Sequence, residues 1–162
     1  MNKREWAGLV VHCLSLIHMT GQDMMVGKEY AGGDGMLARK VTEKGKTSYH
    51  GVLVEQTLVT HKAHTDLLTG VKERLEAKSS RGKNYAENKH LIIWCNIDGS
   101  FEPGSLAKVI SIGAFNIVSI IGFDGNTRDY RCLIFDKKIK NRSIYSGRIS
   151  EKWLLMEAAK IP

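Results

Sequence analysis

Two acids stand out by where they sit. Asp34 lies in the turn-forming cluster Ala31-Gly32-Gly33-Asp34-Gly35, and Glu55 interrupts the apolar run Val52-Leu53-Val54-Glu55-Gln56-Thr57-Leu58-Val59. An isolated carboxylate in a buried strand is costly, so it is normally paired, protonated or bound to a cation. Strand alternation places Glu55 and Thr57 on one face and Gln56 on the other, with Val54 and Leu58. If a hairpin brings Asp34 beside Glu55, a divalent ion satisfies both. Hard oxygen ligands of this kind, with water completing the sphere, suit Mg²⁺ (or Mn²⁺) better than zinc. Such an ion polarises a phosphate and supplies a hydroxide-like nucleophile. Each acid also has a plain structural reading. Asp34 can be a turn residue bonded to its own backbone, and Glu55 can pair with Lys40 or Arg39 on a neighbouring strand.

The elements that must position these residues follow from periodicity. Arg4 to Met19 carries Trp6, Leu9, Val10, Cys13, Leu14, Leu16 and Ile17 at helical spacing, with Gly21 as a stop. Met24 to Tyr30 reads as a short strand or a loop. Met36 to Thr42 and Tyr49 to Thr60 read as an antiparallel hairpin reversed at Glu43-Lys44-Gly45-Lys46, with Gly45 at positive φ. Lys62 to Lys78 is helical, with Ala63, Leu67, Leu68, Val71 and Leu75 as its buried stripe. A polar loop from Ser79 to Asn84 leads to His90–Ile97, a strand apolar on both faces. Pro103 opens a helix through Ile112, and Asn116 to Gly122 is the next strand, so a βαβ unit is expected. Asp124-Gly125-Asn126 is a turn, Tyr130 to Phe135 a strand and Lys137 to Arg142 a basic connection. Ser150 is expected to cap a final helix carrying Trp153, Leu154 and Met156. The fold class is therefore α/β, a mixed central sheet flanked by helices, in one domain spanning 1–162 with a core at 4–97 and a C-terminal extension of the sheet at 98–162.

This pattern resembles the PD-(D/E)xK, or restriction-endonuclease-like, nuclease superfamily. Its core runs helix, three strands, helix, strand, with an acid on the second strand and an acid-x-Lys on the third. The match reads Gly33-Asp34-Gly35 and Glu55-Gln56-Thr57, over about residues 4 to 97. The resemblance implies a restriction-endonuclease-like core and a catalytic set of Asp34, Glu55, Thr57 and Lys72. It implies metal ligation by Asp34, Glu55, the Gln56 carbonyl and, as an outer ligand, Glu5. Thr57 is the departure, because the family has lysine there to position water and stabilise charge on phosphorus. Lys72 or Lys62 would have to reach over in its place. A metal-dependent endonuclease cleaving DNA is the activity implied, with a homodimer for cutting both strands. The alternative is a catalytically inactive nuclease-like fold that binds nucleic acid or protein, and a third reading is a protein-binding adaptor whose charge is incidental.

The bulk properties agree with a polyanionic partner. The 162 residues carry a formal net charge of +7 and a pI near 9.4, and each cation meeting a phosphate releases counterions. The expected phosphate contacts are Lys78, Arg81 and Lys83, then Lys138, Lys140 and Arg142, with Tyr85 or Tyr145 to stack or hydrogen-bond. Cys13, Cys95 and Cys132 sit among apolar neighbours, so reduced thiols and a cytoplasmic location are expected. Membrane association is not, because no apolar stretch is long enough to span. His61 and His64 lack further ligands at zinc spacing and read as solvated. Phosphate-loop, dinucleotide and nucleophile-elbow motifs are absent from the sequence.

Overall fold

A computed structural model describes residues 3–28, 34–100, 102–137, 144–152 and 155–161. Helix α1 (Lys3–Thr20) ends where Gly21, at φ 66°, donates its amide to Ile17 O at 2.7 Å. Strand β1 (Met24–Gly27) pairs antiparallel with β2 (Gly35–Glu43), which pairs antiparallel with β3 (Lys46–Thr60). Lys44 (φ 49°) and Gly45 (φ 76°) both take positive φ, the twist that a two-residue hairpin turn requires.

Helix α2 (Leu67–Ser79) begins later than the periodicity suggests. Asp66 caps it by accepting from the Thr69 amide at 2.8 Å, and the segment before it is folded back by amides of Ala63 and His64 on Thr60 O. His64 is buried there, its ring Nδ1 3.2 Å from Thr60 O and Nε2 3.6 Å from Glu73, which corrects the solvated reading. His61 is exposed. A short helix α3 (Lys83–Ala86) occupies part of the expected loop, followed by β4 (Lys89–Asn96), α4 (Pro103–Ile112), β5 (Ile117–Asp124) and β6 (Asp129–Asp136).

Strands β7 (Ile144–Ser150) and β8 (Leu155–Ile161) complete an eight-stranded sheet in sequential order. The expected final helix is thus a strand. An open β7 edge offers backbone partners, and Arg148 faces Glu157 across the register with Nη1–Oε1 at 3.2 Å. Trp153 and Leu154, on which the helical reading leaned, lie outside the described residues.

The sheet is mixed: β3, β4 and β5 are parallel and the other pairs antiparallel. The helices α2 and α4 make the two crossovers between parallel strands. On one face α1 buries Leu9, Val11 and Leu16 against Val54, Ile92 and Ile121. On the other, Leu75, Leu106 and Ile110 meet Leu91, Ile93 and Val118. Full burial of each such side chain is worth about 1.5–3 kcal/mol. Among the described residues, no helix is long and apolar enough to cross a membrane.

Helix α1 sits close to the sheet because residue 8 is glycine. An added Cβ there would lie 2.5 Å from Trp94 Nε1 and 2.7 Å from Gln56 Oε1. Gly8→Ala should therefore lower stability by about 1–2 kcal/mol, the overpacking cost outweighing alanine's better helix propensity. Urea unfolding checks this, and an unchanged or raised midpoint would contradict so close an approach.

Candidate functional site

The sheet forks where β2 leaves β3. Gly35 is opposite Val54, and one residue earlier the Asp34 amide donates to Val54 O at 3.0 Å. The next β3 amide facing that edge, Gln56 N, donates to Asp34 Oδ2 at 2.6 Å. Asp34 thus continues the ladder with its side chain, bonded to β3.

Glu55 points to the α2 face, beside its β4 partner Leu91 and with Val59 farther along that face in the core. The residue is 4% exposed, and neither Lys40 nor Arg39 is its partner. Lys78, in the last turn of α2, donates to Oε2 at 2.8 Å, and Lys89, first residue of β4, donates to Oε1 at 2.8 Å. Both cations are remote in sequence and meet at Glu55 because β4 runs parallel to β3, with Lys89 opposite Leu53. Lys78 also lies at a helix C-terminus, where a cation is favoured.

Burial opposes ionisation of Glu55, but hydrogen bonds from Lys78, Lys89 and Tyr85 outweigh it and lower the pKa from 4.5 to about 2. Tyr85, on α3, is pushed up to about 12 by burial and by Glu55. Arg81 Nη1 donates to the Tyr85 hydroxyl at 3.0 Å, and Lys89 Nζ stands 4.0 Å from the ring centroid. Lys78, Lys89, Arg81 and Glu55 together leave this corner positive.

The other expected residues are spread over the fold. Thr57 shares the Glu55 face. Gln56 points the opposite way, Nε2 donating to the Glu5 carbonyl at 2.8 Å and Oε1 accepting from Trp94 Nε1 at 3.3 Å, so its side chain docks α1. Glu5 meets Gln56 through its backbone. Lys72 is exposed and pairs with Glu76 at 3.9 Å rather than with Glu55, and Lys62 is exposed in the turn before α2. Lys83 is exposed at the start of α3. Lys138, Lys140 and Arg142 lie outside the described residues. Tyr145 is buried on β7 rather than available for stacking. The residues that sequence reasoning missed at Glu55 are Lys89 and the Tyr85 hydroxyl. The signal for Lys89 was its place at the head of an apolar strand parallel to β3.

Among the described residues, no group of three or more His, Cys, Asp or Glu side chains is arranged to hold a metal ion. A second polar cluster lies under α1. His12, fully buried, places Nδ1 2.6 Å from the Ser119 hydroxyl and Nε2 2.9 Å from His90 Nδ1. A cleft of about 880 Å³ lies away from Asp34 and Glu55, rimmed by Asp98, Asp124, Arg131 and Arg148 in mixed charge.

No family model matches the sequence, and no curated protein matches it. Among solved structures the chain is similar to the central domain of yeast acetyl-CoA carboxylase. The identity is 11%, the TM-score 0.38, and the match covers 96% of this chain and 26% of that one. This chain therefore spans about a quarter of that protein's length, and a likeness this low carries no argument.

Proposed function

We propose that this chain is a metal-dependent nuclease domain acting on phosphodiester bonds of DNA, in which Lys78 supplies the positive charge that Thr57 lacks. The observation that carries this reading is the 2.8 Å contact between Lys78 and the buried Glu55, one strand position from the Asp34–Gln56 bond. Acid and lysine meet at the fork of the sheet, with the lysine delivered by α2 instead of β3. The element order supports the reading: a helix, three antiparallel strands, the helix α2 with the short α3 after it, and a strand parallel to the third, over residues 3–96.

The donor set suits a hard dication in kind. Asp34 and Glu55 are carboxylates, and the Gln56 carbonyl shares the β3 edge with the amide that Asp34 accepts. These three would hold Mg²⁺ or Mn²⁺, in competition with Lys78 and Lys89, which occupy both Glu55 oxygens. When bound, the ion would polarise a phosphoryl oxygen and acidify the attacking water. The lysines released from Glu55 would bind non-bridging phosphate oxygens and offset charge building on phosphorus. Arg74, one turn before Lys78, has a buried Nε without a hydrogen-bond partner among the described residues, a further donor for an anion. A second copy would be needed to cut both strands of a duplex. The thiols Cys95 and Cys132, raised by burial to about 12 and 11, are free and fit a reducing, cytoplasmic setting.

The same clasp favours a second reading. A carboxylate already neutralised by two ammonium groups needs no metal, and the net positive corner would then bind nucleic acid, or an acidic protein, without cleaving it. Plasmid nicking in Mg²⁺ and Mn²⁺ separates the two. Wild-type cutting that stops with chelator and falls by roughly 100-fold or more in Lys78→Met is the result expected from loss of a transition-state charge partner. Undiminished cutting by that variant would remove Lys78 from the mechanism, and no cutting by wild type would leave the binding reading.

A further inference from the structure

The hairpin of β2 and β3 outruns both of its neighbours. Pairing of β1 with β2 ends at Met24↔Arg39, and pairing of β4 with β3 begins only at Leu53↔Lys89. The pairs from Lys40↔Tyr49 to Glu43↔Lys46 therefore stand as a two-stranded ribbon with no strand on either side. At ~3.4 Å per residue, the ribbon and its turn project about 15 Å. Lys40 and every residue from Thr42 to Gly51 are exposed. A free two-stranded ribbon without an apolar face is marginally stable alone, so its exposed length calls for a function.

The charge on it is one-sided. The ribbon carries Arg39, Lys40, Lys44 and Lys46 against one acid of its own, Glu43, with Asp23 flanking Arg39 and Lys40 at its base. Among the described residues, Lys40, Lys44 and Lys46 make no ion pair, and Arg39 donates to Gln22 Oε1 at 2.8 Å. The cations are spread around the ribbon. Register and alternation put Arg39 and Lys46 on the α1 face and Lys40 on the Glu55 face beside Tyr49, which is 59% exposed. Lys44 is at the tip.

We propose that this ribbon is a DNA-binding arm that enters the major groove of a duplex. Cations on both faces and at the tip match a groove walled by phosphates on both sides, whereas a flat polyanion would require them on one face only. Two strands about 4.8 Å apart, with their side chains, fit a major groove about 12 Å wide. Glu55 follows Lys46 by nine residues on the same strand, about 30 Å along it, on the order of one ~34 Å turn of B-DNA. Arm and candidate site can therefore address one duplex.

The inference rests on the nucleic-acid partner of the proposed function but not on cleavage, so binding is measured in chelator. A fluorescent 30-base-pair duplex and the matching single strand are titrated with wild type and with Lys40→Gln/Lys44→Gln/Lys46→Gln. These side chains are exposed and make no ion pair among the described residues, and circular dichroism checks that the fold is kept. The expected result is a duplex Kd raised at least about tenfold at 0.1 M salt, and a slope of log Kd against log salt reduced by about 2.7, or roughly 0.9 for each phosphate no longer neutralised. Single-strand affinity should fall less. Unchanged duplex affinity in the variant, an equal fall for single strand and duplex, or no duplex binding by wild type would each overturn the arm. Metal-dependent nicking alongside unchanged variant affinity would sink the arm and leave the nuclease reading. Ribbon-dependent binding without nicking would do the reverse.

Discussion

Glu55→Gln is expected to destabilise the fold by about 3 kcal/mol at pH 7 and to remove much of its sensitivity to acid. The wild-type carboxyl has its pKa lowered from 4.5 to about 2, against the cost of burial, by Lys78, Lys89 and Tyr85. At ~1.4 kcal/mol per unit, that difference is about 3 kcal/mol of linked stability. The sign follows from the direction of the shift. A depressed carboxyl contributes fully above its unfolded value of 4.5, and the contribution is lost as pH falls from there towards 2. Glutamine keeps the shape but leaves two ammonium groups, whose side chains are 16% and 14% exposed, facing each other without an anion. Urea unfolding at pH 7 and pH 3 reads both effects. The midpoint of Glu55→Gln should lie well below wild type at pH 7 and approach it at pH 3. Equal acid sensitivity in the two proteins would show that the clasp is not what holds the carboxylate ionised.

The second large effect belongs to His12 and a different pH window. Its pKa lies well below 6.5 because burial penalises the imidazolium and His90 adds like-charge repulsion. A neutral imidazole accepts at one ring nitrogen and donates from the other, which is what a hydroxyl at 2.6 Å and a second imidazole at 2.9 Å can satisfy. Below pH 6.5 the unfolded chain takes up a proton that the folded chain refuses. Stability is therefore full above 6.5 and declines as pH falls below it, because burial and His90 both disfavour the imidazolium in the folded state. His12→Gln should cost about 1–3 kcal/mol at pH 7 through imperfect replacement of its buried hydrogen bonds, and should lack this decline between pH 7 and 5. A variant that declines as steeply as wild type would place the titration elsewhere. Wild type would thus lose stability in two pH windows, one below 6.5 belonging to His12 and one below 4.5 belonging to Glu55.

What the sequence made legible was local. The β2–β3 hairpin was readable because Gly45 breaks two β-favouring runs, and the face assignment of Glu55 against Gln56 follows from alternation alone. The span of α4 was readable from Pro103. Contacts that depend on strand order were not. Lys89 and Lys78 are separated from Glu55 by 34 and 23 positions, and only parallel pairing of β3 with β4 brings them together. Lys72, expected to reach over to Glu55, lies six residues before Lys78 and so about 120° away around α2, and the packing of α2 turns Lys78 to the acid instead. The C-terminal strand was missed for a similar reason. The spacing of Trp153, Leu154 and Met156 suits a helix, whereas β8 is selected by an open β7 edge and by the Arg148–Glu157 pair, both tertiary in origin. Of the candidate site, Asp34 and Glu55 both lie where the pairing of β3 with β2 ends, and the cations on Glu55 are assigned by the fold.

The most direct test of the nuclease reading is calorimetric titration of Mg²⁺ and Mn²⁺ into wild type, Asp34→Asn and Glu55→Gln, with folding of each variant verified at the same pH. Saturable binding to wild type that disappears in both variants is expected, because the two carboxylates share one ion. Absence of saturable binding to wild type, or binding that survives both substitutions, would contradict the shared site and leave Asp34 as a strand cap and Glu55 as the anchor of Lys78 and Lys89.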